Sequence, residues 1–339
     1  MKTAVILAAG KSTRTYPLTL TRPKPTLPLV GRPLMGHTLA ALAGVVEEAV
    51  VVVNYRAAMV RAAFGSSYEG LPIKYVEQRE PRGTGDAVAA VRDVVDGPFL
   101  VVDGDDYFGA ANFPAVAAAR GAAVLGAPVK EGGRFGALAT EGGRLVRLDE
   151  KPAAGGPALA NAGAYKLTPP IFDYLGRLKP SLRGELELTA ALVAYAADYA
   201  VAVVKAPAAW LAVATATDLL AAQLLLWPFR EDALTGEGCV VSDDARVGGR
   251  TALGARCEVG PRALVEASLL LDGVKVGAGA SVTGCVLGEG VTVGPGARLD
   301  GAVVSDGASV GPGAVVEPGA RLWPGVTVAA GATAAGEVK

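Results

Sequence analysis

The stretch VGPGARLDGAVVSDGASVGPGAVVEPGARL at 293–322 carries an aliphatic residue about every six positions, and Gly, Ala or Pro fills most of the positions between. The aliphatic residues that continue this period are Val247, Leu253, Val259, Val265, Leu271, Val276, Val282, Leu287, Val293, Leu299, Val304, Val310, Val316, Leu322 and Val328, with steps of five residues after Leu271, Val282 and Leu299. Such a period is typical of a parallel β-helix, in which each short strand forms one face of a coil and the repeated residue stacks inside. The period predicts a left-handed β-helix over residues 238–335.

The residues before this region follow a different pattern. Short apolar runs occur at 3–7, 49–53, 73–77 and 99–102, and helical stretches are predicted at Leu34–Ala43, Gly85–Val94 and Asp218–Trp227. Apolar strands that alternate with helices predict a Rossmann-like α/β domain whose sheet is mostly parallel. Pro, Gly and charged residues from Pro228 to Glu237 interrupt this pattern, so we expect domains at 1–230 and 238–335.

Composition excludes several classes of partner. The 339 residues carry 32 basic and 33 acidic side chains, so no global field favours nucleic acid or an anionic membrane. A strand follows Lys2 directly and no apolar run is long enough to cross a bilayer, so we expect no membrane contact and a cytoplasmic location. Cys239, Cys257 and Cys285 have no CxxC spacing and are interpreted as small buried residues. The single histidine, His37, lies in a predicted helix and is expected to be structural.

A cationic loop follows the first predicted strand. LAAGKSTR at 7–14 is not a P-loop, because Val5 stands where that motif requires glycine. The proline-rich segment that continues to residue 34 holds Arg14, Arg22 and Lys24 in one stiff loop, for which a polyphosphate is the natural ligand.

A second charged feature ends the predicted strand at 99–102. FLVVDGDD at 99–106 delivers Asp103, Asp105 and Asp106 at the carboxyl end of a strand, where parallel-sheet enzymes place their sites. These carboxylates fit either a magnesium site or an acidic turn in solvent, and the strand alone does not separate the two.

Several motifs together resemble one family, the sugar-1-phosphate nucleotidylyltransferases, over nearly the whole chain. LAAGKSTRTYPLTLTRPKP at 7–25 resembles the family pattern LAAGxGTRLxPLTxxRPKP, with Ser12 in place of its second glycine. The further matching segments, in chain order, are VEQREPRGTGDA at 76–87, GDDYF at 104–108, RFGALATEGGRLVRLDEKP at 134–152, NAGAY at 161–165 and RGELELT at 183–189.

The resemblance implies that nucleoside triphosphate and sugar 1-phosphate give a nucleotide sugar and pyrophosphate. The residues that it implies for the nucleotide are Leu7, Ala9, Gly10, Gln78, Gly83 and Thr84. Those that it implies for the sugar are Gly136, Glu150, Asn161, Glu187 and Thr189. The implied catalytic residues are Arg14, Lys24, Asp105 and Lys151, of which Asp105 would ligate Mg²⁺. Arg14 and Lys24 would then grip the triphosphate that the magnesium ion bridges.

The chain departs from the family pattern at a second metal carboxylate. WLAVATATDL at 210–219 has Ala212 where the family has aspartate, and Asp218 is interpreted as the N-cap of the next helix. A non-catalytic regulatory paralogue that binds nucleotide sugar is therefore the competing hypothesis. Ala190 also replaces an aspartate of the sugar motif.

Two further expectations concern specificity and the β-helix. The RPKP and RGELELT regions look closest to family members that use a pyrimidine nucleotide and a gluco-configured sugar, and this resemblance implies UTP or dTTP with glucose or N-acetylglucosamine 1-phosphate. GTP with mannose 1-phosphate is the alternative. The β-helices of some relatives are acetyltransferases that use a histidine, and no histidine follows His37 here. We therefore expect this domain to support a homo-oligomer instead.

Overall fold

The computed structural model describes residues 1–150, 156–227 and 233–339. Within them the chain forms two compact units. The first consists of Met1–Lys11 and Leu34–Ala212, and the second consists of Ser12–Pro33 and Val213–Lys339. The predicted boundary between 230 and 238 lies partly outside the described residues, and the predicted domain limits remain a proposal.

The first unit is built on a ten-stranded sheet. The strands as far as residue 211, including a short hairpin of the second unit, are β1 (Thr3–Ala8), β2 (Pro28–Leu29), β3 (Arg32–Pro33), β4 (Glu48–Val53), β5 (Ser67–Tyr68), β6 (Leu71–Glu77), β7 (Phe99–Asp103), β8 (Tyr107–Phe108), β9 (Ala122–Val129), β10 (Gly136–Glu141), β11 (Arg144–Glu150), β12 (Ala158–Leu167), β13 (Val201–Lys205) and β14 (Trp210–Leu211). Their order in the large sheet is β10-β11-β13-β9-β12-β7-β1-β4-β6-β5. Strands β7, β1, β4 and β6 are neighbours and parallel, so their carboxyl ends meet at one edge.

Helices cover both faces of this sheet. The described α-helices are α1 (Leu34–Leu42), α2 (Ala57–Phe64), α3 (Thr84–Ala89), α4 (Asn112–Ala117), α5 (Ile171–Leu175), α6 (Leu188–Asp198) and α7 (Ala216–Leu226). Buried residues of α1, α2 and α4 pack on one face, and those of α3, α5 and α6 pack on the other. Because strands β1, β4 and β7 are covered on both sides, their sequences are nearly continuous apolar runs, which confirms the prediction of an α/β domain. None of these helices is long and apolar enough to cross a membrane.

One helix is shorter than predicted. The expected helix Gly85–Val94 begins at Thr84 and ends as an α-helix at Ala89. Beyond it, the amide of Arg92 bonds to the carbonyl of Ala89 and the amide of Val94 bonds to the carbonyl of Val91. These bonds span three residues instead of four, so the helical path tightens into turns.

The second unit contains the left-handed parallel β-helix, which confirms the second half of the fold prediction. Three parallel sheets of seven, six and six strands form its faces. The first sheet contains Leu234–Thr235, Ala252–Leu253, Leu269–Leu270, Val286–Leu287, Val303–Val304, Arg321–Leu322 and Glu337–Val338. The second contains Val240–Val241, Glu258–Val259, Lys275–Val276, Thr292–Val293, Ser309–Val310 and Thr327–Val328. The third contains Arg246–Gly248, Leu264–Glu266, Ser281–Thr283, Arg298–Asp300, Val315–Val316 and Thr333–Ala334.

The interior column of the first sheet corrects one member of the predicted period. Leu270, and not Leu271, pairs with Leu253 on one side and Leu287 on the other. The five-residue step therefore follows Val265 and not Leu271. It then falls at the same corner of the coil as the steps after Val282 and Leu299, so three successive coils turn at this corner with one residue fewer.

Corner geometry explains the glycine content of this region. Gly290 adopts φ of +66° at a corner, a left-handed backbone that favours glycine. Arg256 adopts φ of +55° in an earlier coil, so the corner shape is kept there without glycine. Cys257 and Cys285 are fully buried in the coil interior, as expected, whereas Cys239 is only partly buried. Burial raises the pKa of Cys285 to about 11.

Candidate active site

The first unit brings several predicted residues to the carboxyl edge of its parallel strands. The carbonyl of Leu7 accepts a hydrogen bond from the amide of Gly104 at 2.9 Å, and the carbonyl of Ala9 accepts one from the amide of Tyr55 at 3.3 Å. A Cβ at Gly104 would lie 2.8 Å from the Leu7 carbonyl oxygen, so the close approach requires glycine. Gly10 is exposed and has open space above its backbone, which leaves its surface accessible to a ligand.

Gln78 follows β6 at the same edge and is almost fully buried. Its Nε2 donates to the carbonyl of Gly83 at 3.1 Å and to Oδ2 of Asp86 at 2.8 Å. Arg82 donates to the other oxygen of Asp86 at 2.7 Å, which holds that carboxylate in place. Both amide hydrogens of Gln78 are therefore used, and its Oε1 accepts no hydrogen bond from the described residues. An acceptor in this position suits a donor on a ligand.

Gly83 and Thr84 are fixed against a later loop. Gly83 has φ of +119°, and a Cβ there would lie 2.6 Å from the carbonyl oxygen of Leu186. The amide of Leu186 donates to the carbonyl of Arg82, and the amide of Leu188 donates to Oγ1 of Thr84 at 3.0 Å. The predicted base segment is thus paired, backbone to backbone, with the segment that precedes α6.

Three predicted sugar contacts lie together on the antiparallel side of the sheet. Gly136 is directly opposite Glu150 in the β10–β11 pair. A Cβ at Gly136 would lie 3.5 Å from Oε1 of Glu150 and 3.7 Å from Cβ of Asn161. Asn161 is held by its own contacts, since its Nδ2 donates to the hydroxyl of the buried Tyr165 at 2.8 Å. Burial and the negative charges of Asp103 and Glu150 raise the pKa of Tyr165, so its hydroxyl stays protonated.

Arg183 connects this group to the remaining sugar residues. Its Nη2 lies 3.0 Å from Oε1 of Glu187 and 3.9 Å from Oε2 of Glu150. Burial acts to raise the pKa of Glu187, but hydrogen bonds from Ser181, Arg183 and Thr189 and the charge of Arg183 lower it on balance. The structure therefore brings Glu150, Glu187 and Thr189 into one charged cluster.

The carboxylates at the end of β7 have different surroundings. Oδ2 of Asp106 accepts a hydrogen bond from Nε1 of Trp210 at 3.2 Å. Asp103 lies against Gly163, which has φ of +72° and no room for a side chain. Strand β14 pairs antiparallel with β8 through Leu211 and Tyr107, and continuing that register places Ala212 opposite Asp106. The position at which the family has its second carboxylate is thus beside the acidic turn. Among the described residues no group of three or more His, Cys, Asp or Glu could hold a metal ion by itself.

The cationic loop belongs to the second unit, and the structure corrects one of its predicted cations. Arg14 is exposed in a 3-10 turn, and Lys24 is 3% exposed at the start of another. Nη2 of Arg22 instead donates to Oδ2 of Asp306 at 2.6 Å and to Oε2 of Glu289 at 3.0 Å. Arg22 therefore does not offer its charge to a polyphosphate, because two carboxylates of the β-helix already neutralise it.

Burial acts to lower the pKa of Arg22, but the hydrogen bonds and charges of Asp306 and Glu289 outweigh it, and the pKa is raised on balance. Arg22 therefore stays charged.

Lys151 lies outside the described residues.

Two smaller expectations about loops are resolved in this unit. Ser12, which stands where the family pattern has glycine, adopts φ of 50° and ψ of 51°, a left-handed conformation that favours glycine. The N-cap of α7 is Thr215 and not Asp218. Asp218 completes a capping box instead, accepting from the amide and hydroxyl of Thr215 at 2.9 Å, because it stands at the third helical position.

The resemblance assigns no role to Asp86 or Arg183. Arg82 and Asp86 are four residues apart, as are Arg183 and Glu187, but neither pair lies within one helix, since α3 begins at Thr84 and α6 begins at Leu188. The contacts of Asp86 with Gln78 and of Arg183 with Glu150 join separate segments of the chain, so they have no signal in the sequence.

Comparison with known proteins places these features in a family. The Nucleotidyl transferase family matches residues 3–226, and the GMPPB C-terminal domain family matches residues 229–331. Mannose-1-phosphate guanylyltransferase of Mycobacterium tuberculosis is 37% identical over 341 residues, covering 95% of this chain and 94% of that protein. Bifunctional protein GlmU of Methanocaldococcus jannaschii is 36% identical over 190 residues, and the match spans 56% of this chain and 45% of the relative.

A solved structure gives the same picture of the fold. The crystal structure of UDP-glucose pyrophosphorylase complexed with UDP-glucose superimposes with a TM-score of 0.58 at 24% identity, and the match covers 66% of this chain and 97% of that one. Because the first family covers well over half of the chain and the resemblance is continuous in a full-length relative, the chain belongs to the nucleotidyl transferase family, among the sugar-1-phosphate nucleotidylyltransferases.

Proposed function

We propose that this protein is a sugar-1-phosphate nucleotidylyltransferase whose preferred substrates are GTP and mannose 1-phosphate. The observation that carries the choice is the full-length match to a mannose-1-phosphate guanylyltransferase, which includes the β-helix. The match of residues 229–331 to the GMPPB C-terminal domain supports the same choice. This differs from the pyrimidine nucleotide and gluco-configured sugar that the motifs alone favour.

The geometry of the first unit supports the general reaction. The base segment at 82–85 is paired with the segment at 186–188, and Glu187 of that segment shares Arg183 with Glu150. Base and sugar motifs that are far apart in sequence are therefore neighbours in space. A nucleotide joined to a sugar is the ligand that spans both.

The reaction requires one bond to form as another breaks. An oxygen of the sugar phosphate attacks the α-phosphorus of GTP, the bond to the bridging oxygen of the β-phosphate breaks, and pyrophosphate leaves with that electron pair. Catalysis of this kind depends on positioning and on neutralising charge in the transition state. No covalent enzyme intermediate is required, so the chain needs no nucleophilic side chain.

The roles of the charged residues follow from their chemistry. Arg14 and Lys24 bind the triphosphate and stabilise the leaving pyrophosphate, and Lys151 orients the attacking phosphate. Gly10 and its neighbours offer backbone amides to the phosphates, and Oε1 of Gln78 accepts a hydrogen bond from the base. Gly136, Glu150, Asn161, Glu187 and Thr189 bind the sugar.

A metal ion fits the donor set at the end of β7. Members of the family generally use a divalent metal. Mg²⁺ is usually held by one or two carboxylates together with substrate phosphates, and the hard oxygen donors at this turn suit it. We assign Asp105 as its protein ligand. When bound, the ion supplies charge neutralisation at the phosphates.

The test is a screen for pyrophosphate release. GTP, UTP, dTTP and ATP are each paired with mannose, glucose and N-acetylglucosamine 1-phosphates in the presence of Mg²⁺. We expect the highest kcat/KM for GTP with mannose 1-phosphate. A pyrimidine nucleotide with a gluco-configured sugar as the best pair would overturn the choice of substrates. Binding of nucleotide sugar without release from any pair would support the regulatory alternative instead.

Assembly through the β-helix is the second part of the proposal. Val240 lies in the second sheet of the β-helix and Val315 lies in the third, and their apolar side chains are 66% and 38% exposed. An exposed apolar residue on a coil face can pack against a second copy. We expect sedimentation of the full chain to give a homo-oligomer, and replacing Val240 with Glu to shift it towards a smaller species. A monomer at micromolar concentration would contradict this.

A further inference from the structure

The cationic loop has more contacts with the β-helix than its sequence predicts. The loop Ser12–Pro33 forms one compact unit with Val213–Lys339, separately from the strand that precedes it. Since the proposed function gives Arg14 and Lys24 of this loop the task of binding triphosphate, the residues that fix the loop have consequences for that task.

The first contact is a partly buried ion pair. The side chain of Arg22 is 14% exposed and that of Asp306 is 19% exposed, whereas Glu289 is 57% exposed. The two oxygens of Asp306 have different partners, since Oδ2 accepts from Arg22 and Oδ1 accepts from the amide of Glu289 at 2.8 Å. Asp306 is thus held by its own coil stack and presents one oxygen to the loop. Hydrogen bonds between charged partners with little solvent are the stronger ones.

Two uncharged contacts lie beside this pair. Oγ of Ser305, which is fully buried, donates to the carbonyl of Pro17 at 3.1 Å. The ring of Tyr16 meets the ring of Trp323 edge to face, with centroids 6.1 Å apart. Together with the ion pair, these contacts join the loop to residues of successive coils.

The backbone transmits the position of Arg22 to Lys24. Only Pro23 separates them, and Pro25 follows Lys24, so the torsions on both sides are restricted. The amide of Leu27 donates to the carbonyl of Lys24 at 3.0 Å, which closes a 3-10 turn around it. Lys24 itself is 3% exposed and has little freedom to compensate for a shift of this turn.

We propose that Arg22 and Asp306 are positioning residues for triphosphate binding, and that the β-helix sets the geometry of the cationic loop through them. The proposal rests on the proposed function and adds a task for the β-helix within it. Neither residue touches substrate; each acts through Lys24. The β-helix is then part of the nucleotide-binding machinery and more than a platform for assembly.

The experiment is a double-mutant cycle of Arg22→Gln and Asp306→Asn in the full chain, because both changes keep the size of the side chain nearly constant. The readouts are KM for the triphosphate, KM for the sugar phosphate, kcat and the unfolding temperature. Loss of a hydrogen bond between charged groups predicts that each single variant raises KM for the triphosphate about tenfold or more. The double variant should be no worse than either single one, since both remove the same interaction.

Controls separate positioning from general damage. Glu289→Gln removes the exposed partner only and should have a smaller effect. Glu258→Gln breaks an exposed pair with Lys275 in the same β-helix and should leave both KM values unchanged. A positioning role predicts an unchanged KM for the sugar phosphate.

Three results would overturn the proposal: an unchanged KM for the triphosphate in both single variants, an equal rise in both KM values, or additive effects in the double variant. If the native chain releases no pyrophosphate with any substrate pair, the proposed function fails. The four proteins of the double-mutant cycle are then compared by the Kd of the triphosphate, measured by calorimetry. A native Kd that the variants weaken supports the positioning role without turnover, whereas an unchanged Kd or no binding contradicts it.

Discussion

The side-chain amide of Gln78 donates to the carboxylate of Asp86 at 2.8 Å, and this bond fixes which atom of Gln78 a ligand can reach. With its second amide hydrogen on the carbonyl of Gly83, only Oε1 of Gln78 is available to a base. An acceptor such as Oε1 binds an N–H group of the base. Guanine, uracil and thymine carry a ring N–H on their pairing edge, whereas the ring nitrogen of adenine at that edge carries no hydrogen.

Replacing Asp86 with Ala should therefore weaken base selection. The amide of Gln78 would lose its carboxylate partner and could turn, so we expect the preference for GTP over ATP in kcat/KM to fall about tenfold. Asp93→Ala, an exposed change nearby in sequence, is the control. An unchanged preference in the Asp86 variant would show that the amide is not held by this bond.

Replacing Gly83 with Ala should disrupt the base segment. The added Cβ would lie 2.6 Å from the carbonyl oxygen of Leu186 on a backbone at φ of +119°. We expect a loss of more than about 2 kcal/mol in the free energy of unfolding, because clash and strain add. Gly97→Ala also has a positive φ but meets nothing within 4 Å, and should cost only about 1 kcal/mol. Equal losses in chemical denaturation would contradict the close approach.

Restoring the missing carboxylate should lower the requirement for magnesium. Continuing the β14–β8 register places residue 212 opposite Asp106, so Ala212→Asp would add a carboxylate beside the acidic turn. We expect the Mg²⁺ concentration for half-maximal pyrophosphate release to fall about tenfold. Ala212→Asn has the same shape without the charge and should have a smaller effect. If the two variants are equal, charge at this position does not act on the metal.

The charged cluster around Glu187 predicts a dependence of stability on pH. Hydrogen bonds and the charge of Arg183 hold the pKa of Glu187 below its ordinary value of 4.5, despite its burial. The ionised form therefore stabilises the fold above that value, and this contribution is lost as the pH falls through the lowered pKa.

At pH 7 we expect Glu187→Gln to reduce the free energy of unfolding by on the order of 1 kcal/mol. The difference from the native chain should vanish as the pH drops well below 4.5. Glu141→Gln, at the exposed end of β10, should show no such trend. A difference that persists in acid would mean that the cluster acts through packing and not through charge.

The sequence predicted the two fold classes because each depends on a simple period. Continuous apolar runs at β1, β4 and β7 follow from burial on both faces, and the six-residue step follows from the size of a coil face. The six-residue period assigned Leu271 to the interior column, where the structure has Leu270. Both residues are aliphatic and buried, so the pattern alone could not distinguish them.

The arrangement of the candidate site was less predictable. The motif residues Gly136, Glu150 and Asn161 do converge, since the antiparallel pairing of β10 with β11 and β12 brings them together. Arg22 was expected to bind a polyphosphate, because a stiff loop that holds several cations is a suitable site for that ligand. Its carboxylate partner, Asp306, is 284 residues away in sequence, and only the tertiary structure brings the two together.

The most direct measurement follows the phosphorus atoms themselves. A single sample of the native chain with GTP, mannose 1-phosphate and Mg²⁺ is monitored by phosphorus NMR. We expect the signals of a nucleoside diphosphate sugar and of pyrophosphate to grow in equal amounts, with no signal from inorganic phosphate. Release of inorganic phosphate, or pyrophosphate formed without a diphosphate sugar, would contradict the transfer of a nucleotidyl group to a sugar phosphate.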